Sequence, residues 1–143
     1  IEPAQDAKKR RASIPLKQAL ALPLTLPAHP HGVRPTIDQA AARAGLAPPL
    51  VEADISSISI LRTTLLAGLG RTLLPLMPFQ HEIGSGLLQA TKVSSPSLTR
   101  TLALCASGHI PGSSASKAVE RLTHALVREL CSTGQWQGAS LLR

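Results

Sequence analysis

His29, His31, Gly32 and Arg34 fall together in one short stretch, and their chemistry suits the capture of a small anion. A guanidinium meets a carboxylate through two parallel N–H bonds, while imidazoles donate hydrogen bonds or change charge near neutral pH. The same stretch also reads as a turn that Pro27, Pro30 and Pro35 stiffen, with its histidines solvated. Downstream, Ser56, Ser57 and Ser59 precede an apolar helical run, the usual place for capping hydroxyls. Catalysis finds no footing. The eight acidic residues are scattered, so neither a carboxylate pair nor a metal-ligand spacing emerges. Neither cysteine sits beside an obvious base, and GSGLLQ lacks the preceding strand and following Lys-Ser/Thr of a phosphate loop.

Apolar spacing shows which elements must position these residues. Residues 22–26 read as a short strand, 27–34 as a loop, and 35–44 as a helix opened by Pro35 and stopped by Gly45. At such a helix start the free backbone N–H groups and the dipole favour an anion. Residues 51–53 read as the next strand. Ser56 or Ser57 then caps a helix that carries Ile58, Leu61, Leu65 and Leu66 at helical spacing and reaches Ala67. Gly68 and Gly70 bracket a tight reversal into a strand at 72–74 and read as backbone requirements.

At the flanks, Ser13 caps a short helix with Pro15 in its first turn, and Pro23 ends it. Pro78 opens a further short helix broken by Gly84 and Gly86, and residues 87–93 return as a strand. TRTLALCAS, residues 99–107, alternates with the period of a strand. Pro111, Gly112 and Ser113 lead into a long helix over 114–131, striped by Val119, Leu122, Leu126 and Leu130. Burying that stripe is worth several kcal/mol at about 25 cal/mol per Å², so it is expected to pack on this lobe or on a second copy. His81 and His109 are expected to be exposed, and His124 to be structural. The alternation of strands and helices argues for an α/β domain with a parallel or mixed sheet.

Composition excludes further classes. A chain of 143 residues, 43% hydrophobic, suits one domain with a modest aliphatic core. With only Phe79 and Trp136 as aromatics, no stacking surface for single-stranded nucleic acid exists. Arg62 and Arg71 interrupt the most hydrophobic region, so no membrane span is expected. The net charge of +7 draws on Lys8, Lys9, Arg10, Arg11 and Lys17, clustered in the first seventeen positions; residues 1–13 read as a solvated basic leader rather than a specific phosphate contact. Cys105 and Cys131 lack metal-ligand spacing and read as reduced thiols of a cytoplasmic protein, a disulfide being the alternative. Ile1 and the absence of a signal-peptide pattern suggest a piece of a longer polypeptide.

The order PLTLP, HGVR, AARAGL, VEAD, LRTTLLAGLGRTLLP and GSGLLQATKVSSPSLTRTLAL, over residues 14–130, resembles the effector-sensing domain of LysR-type transcriptional regulators. The HGVR loop is most similar to the branch containing the nitrogen-assimilation-control regulators. The resemblance implies a periplasmic-binding-protein-like α/β lobe, a mixed sheet flanked by helices, with a C-terminal helix from a second lobe. On that basis residues 14–98 form the effector-binding lobe, 99–107 a return crossover strand, and 108–143 a helix and tail of the first regulatory subdomain.

The resemblance also places ligand contacts near the start of the second helix and on a hydroxyl of the LRTTLLAGLG segment. This makes His29, His31, Gly32, Arg34, Ser56, Ser57, and Thr63 or Thr64 the candidate effector-binding residues. No catalytic residue, metal or cofactor is implied. The expected partners are a small anionic metabolite bound between lobes, a second copy of the chain in a dimer, and promoter DNA only through an N-terminal module ahead of Ile1. Two other readings stay open: a solute-binding protein of the same architecture, and a mainly oligomerising unit with an empty cleft.

Overall fold

A computed structural model describes residues 1–4, 12–30, 32–109 and 111–142. The basic block Lys8, Lys9, Arg10 and Arg11, and His31, lie outside the described residues. The chain divides into two compact units, Ile1–Arg100 and Thr101–Arg143.

The first unit is built on short parallel strands covered by helices. Strand β1 is Glu2–Pro3, β2 is Ser13–Pro15, and helix α1 is Leu16–Leu20. Strand β3, Leu24–Leu26, precedes α2, Val33–Arg43, and β4, Val51–Asp54, precedes α3, Ile58–Leu66. A 3-10 turn at Met77–Phe79 runs into α4, Gln80–Gly84, followed by β5, Leu88–Gln89, and β6, Lys92–Ser94. Three ladders result: β3 with β4 and β2 with β6 are parallel, and β1 with β5 is antiparallel. Backbone bonds join two of them. Thr25 N–H donates to the Arg71 carbonyl at 2.7 Å, and Thr72 N–H donates to the Ile1 carbonyl at 2.9 Å. Parallel and antiparallel pairings are both present, but as two-stranded ladders rather than one sheet, and residues 72–74, expected as a strand, form none: only the bonds at 71 and 72 bridge β3 to the first residue of the chain.

Burial follows the sequence pattern. All three residues of β3 are buried, whereas β4 alternates between half-buried and exposed, as expected of a central strand beside an edge. Leu16, Leu20, Leu24, Leu26, Val33, Ile37 and Ala41 form one cluster beneath α1 and α2. Leu61, Leu65, Phe79 and Leu88 form a second beneath α3, and half-buried Leu74 touches both clusters.

The expected helices are present with small shifts. α2 begins at Val33, two residues before Pro35, with Gly32 at its N-cap, and ends before Gly45. α3 is capped by Ser57, whose Oγ accepts the Ile60 N–H at 3.4 Å. Gly68 and Gly70 have φ of +81° and +90°, conformations that cost an L-residue roughly 1–2 kcal/mol. A Cβ on Gly70 would also lie 2.9 Å from Thr25 Oγ1, so the reversal passes against the central strand.

Four further expectations are corrected. Residues 2–3 are strand rather than leader, because Glu2 is held by Arg71 and by the Gln89 amide at 2.9 Å. Ser13 belongs to β2 and caps nothing. Instead Pro15 takes the N-cap of α1 without a side-chain bond. The strand expected over 87–93 is two strands with different partners, β5 on β1 and β6 on β2. Residues 99–107 contain no strand. Alternation fixes which side chains share a face, but a strand also needs a free edge to pair with, and no described segment pairs with this one.

Thr72 illustrates a local cost. It is buried, and its Oγ1 has no hydrogen-bond partner among the described residues. Thr72→Val keeps the shape and removes the unpaired hydroxyl. It is expected to raise the unfolding free energy by about 1 kcal/mol, read from the urea midpoint, and a loss of stability instead would show that the hydroxyl is bonded.

Among its described residues the second unit contains one regular element, α5, Ser114–Ser132, capped by Ser113, whose Oγ accepts the Ser116 N–H at 3.0 Å. None of its residues is buried, and Val119 and Leu122 are 63% and 61% exposed. Cys105 and Cys131 are free thiols. His81, His109 and His124 are exposed. No helix among the described residues is long and apolar enough to cross a membrane.

Candidate functional site

The parallel pair β3 and β4 delivers the candidate residues to one edge. After Leu26 the chain leaves the sheet into the loop carrying His29, and after Asp54 it leaves into the serines before α3. Ligand sites of open α/β sheets form at such carboxyl ends of strands. The two loops touch: Ala28 N–H donates to Ser56 Oγ at 3.2 Å.

A charged network occupies this rim. Arg34, in the first turn of α2, donates from Nη1 to Asp54 Oδ1 at 3.0 Å and from Nε to Asp38 Oδ1 at 3.4 Å. His29 Nε2 lies 3.0 Å from Asp38 Oδ2. The guanidinium is thus shared between a carboxylate one helical turn away and another at the end of the neighbouring strand. Its side chain is 15% exposed, against 56% for Asp54, so Asp54 is the outer and more easily displaced of the two partners.

Gly32 forms the turn into α2, where the first amides of the helix have no helical acceptor. Arg100 approaches this turn. Its Nη1 would lie 3.5 Å from a Cβ on Gly32, and Arg100 enters no ion pair among the described residues.

The structure therefore assembles His29, Gly32, Arg34 and Ser56 around one rim. Ser57 caps α3. Thr63 and Thr64 stand apart: their hydroxyls donate to the Ser59 and Ile60 carbonyls of their own helix at 3.1 and 2.9 Å. Together with Ser59, Ile60, Ala67 and Leu69 they line a shallow surface along α3.

Asp38, Asp54 and Arg100 escaped the sequence reading. The Arg34 to Asp38 spacing of one helical turn was a legible signal, and Asp54 closes the VEAD strand, but nothing in the sequence brings Arg100 to Gly32. Among the described residues no group of three or more His, Cys, Asp or Glu is arranged to hold a metal ion.

No curated protein and no solved structure matches the chain. The family model for the LysR substrate binding domain matches residues 3–130, which takes in β2 through β6, the charged rim and most of α5. The strand-end rim, the parallel ladders and this match agree, and the chain belongs to the LysR substrate-binding domain family, regulatory effector-sensing domains of periplasmic-binding-protein-like fold.

Proposed function

We propose that the chain is the effector-sensing part of a bacterial, cytoplasmic LysR-type transcription regulator and that it binds a small anionic metabolite at the strand-end rim. The observation that carries this reading is the placement of Arg34, a largely buried guanidinium at the ends of β3 and β4, beside the first turn of α2. An effector carboxylate replaces Asp54 on Nη1 and gains the free amides at Gly32 and the charge of Arg100. His29 and Ser56 supply further hydrogen bonds, and Ser57 flanks them; His31, outside the described residues, stays a candidate by sequence alone. Thr63 and Thr64 act on the same effector only if they turn away from their helix.

In this reading residues 14–98 form the effector lobe, 99–107 the crossing segment, and 108–143 a helix and tail completing the other subdomain. Occupancy is relayed to promoter DNA through the packing of a homodimer. The exposed stripe Val119, Leu122 and Leu126 supports self-association, since apolar faces of this kind seek cover.

Calorimetry of the whole regulator against a panel of carboxylates, amino acids and small sulfur and nitrogen metabolites tests the proposal. Asp54→Asn removes the competing carboxylate and is expected to tighten the binding anion by roughly tenfold, about 1.4 kcal/mol. Arg34→Met should weaken the same anion by at least as much. Equal affinities in both variants would remove the rim from the site, and no heat with any compound would favour the purely oligomerising reading.

A further inference from the structure

α5 carries a second face that the effector reading does not use. At about 100° per residue, Lys117, Arg121, His124 and Arg128 fall within one narrow sector, opposite the stripe of Val119, Leu122, Leu126 and Leu130. All four are exposed, and with Glu120 and Ala125 they line one shallow surface. Lys117, Arg121 and Arg128 enter no ion pair among the described residues. Glu120, at the edge of the row, is the one carboxylate on that surface.

We propose that this row is a contact surface for the phosphate backbone of duplex nucleic acid. The match is one of charge and length. From Lys117 to Arg128 the helix rises about 16 Å at 1.5 Å per residue, alongside which a duplex presents a negative charge every 1.7 Å or so. Because the row lies opposite the apolar stripe, whatever covers the stripe leaves the row facing outward.

That opposition also argues against a lipid surface. An interfacial helix sinks its apolar face among the headgroups, and cations at its flanks reach anionic lipids. Here the cations point directly away from the apolar side, which carries no aromatic residue. The contact is sequence-independent, since backbone phosphates carry no base identity, and it is independent of the effector site.

The test is fluorescence anisotropy of an arbitrary 20-base-pair duplex with the 143-residue chain, from 50 to 200 mM KCl. Each phosphate-bound cation contributes about 0.9 to the slope of log K against log salt, so Lys117→Gln/Arg121→Gln/Arg128→Gln should flatten it by about 2.7. Over that salt range the unaltered chain then loses about 40-fold more affinity than the variant. A control with the same charge change in the first unit, Lys17→Gln/Arg43→Gln/Lys92→Gln, should keep the original slope.

Circular dichroism verifies that α5 stays helical in both variants. An unchanged slope in the row variant, equal flattening in the control, or the absence of duplex binding overturns the proposal. So does binding to phosphatidylserine vesicles without binding to the duplex.

Discussion

Replacing Phe79 by alanine lowers the unfolding free energy by about 3–5 kcal/mol, the cost of deleting a fully buried aromatic from a core. Phe79 is the one large aromatic of the first unit, and it is completely buried against Leu61, Leu65 and Leu88. Those partners come from α3 and β5, so the ring joins elements far apart in sequence. Arg62 adds to this from outside, its guanidinium carbon 5.9 Å from the ring centre. A cation over a ring at a partly exposed site contributes a further 0.5–1 kcal/mol or so. Urea titration reads the change as a shifted midpoint at constant slope. A loss below about 1 kcal/mol would mean that the aliphatic residues close the cavity, which close packing makes difficult.

Arg62→Met produces the second large effect, a loss of about 2–3 kcal/mol. Arg62 Nε lies 3.0 Å from Glu82 Oε1, and Nη2 donates to the Pro78 carbonyl. The Glu82 side chain is 12% exposed and that of Arg62 37%. Removing the arginine strands a mostly buried carboxylate, which for a fully enclosed pair costs about 3–5 kcal/mol. Solvent reaches the guanidinium here, so the lower figure applies. Arg62→Met/Glu82→Leu then recovers to within about 1 kcal/mol of the parent, because neither charge is left without its counterpart. A double variant as unstable as the single one would show that Arg62 acts mainly through its hydrogen bond to the Pro78 carbonyl, ahead of α4.

Local signals made the helices legible. The serines at 56 and 57 announced the cap of α3, which Ser57 provides, Gly45 announced the end of α2, and apolar spacing the buried Leu61 and Leu65 of α3. Pairing was not legible, because it depends on contacts across the chain. Nothing near Glu2 indicates that Gln89 and Arg71 will hold it, and nothing near residue 90 shows that the chain leaves one ladder for another. The same limit governs the site. The loop carrying His29 and Arg34 could be picked out, whereas the carboxylate that occupies Arg34 comes from twenty residues away. The resemblance to LysR-type regulators named the family, with which the match over residues 3–130 agrees, but it gave neither the pairing nor this carboxylate.

The charged rim and the apolar layer beneath it divide the labour of the first unit. All of β3 is buried, while His29 beyond its end and Asp54 at the end of β4 face water over more than half of their side-chain surface. Exchanging such peripheral groups disturbs little of what keeps the polypeptide folded. Side chains at the rim can therefore be exchanged while the scaffold stays constant, so that one architecture could present different surfaces at the same strand ends.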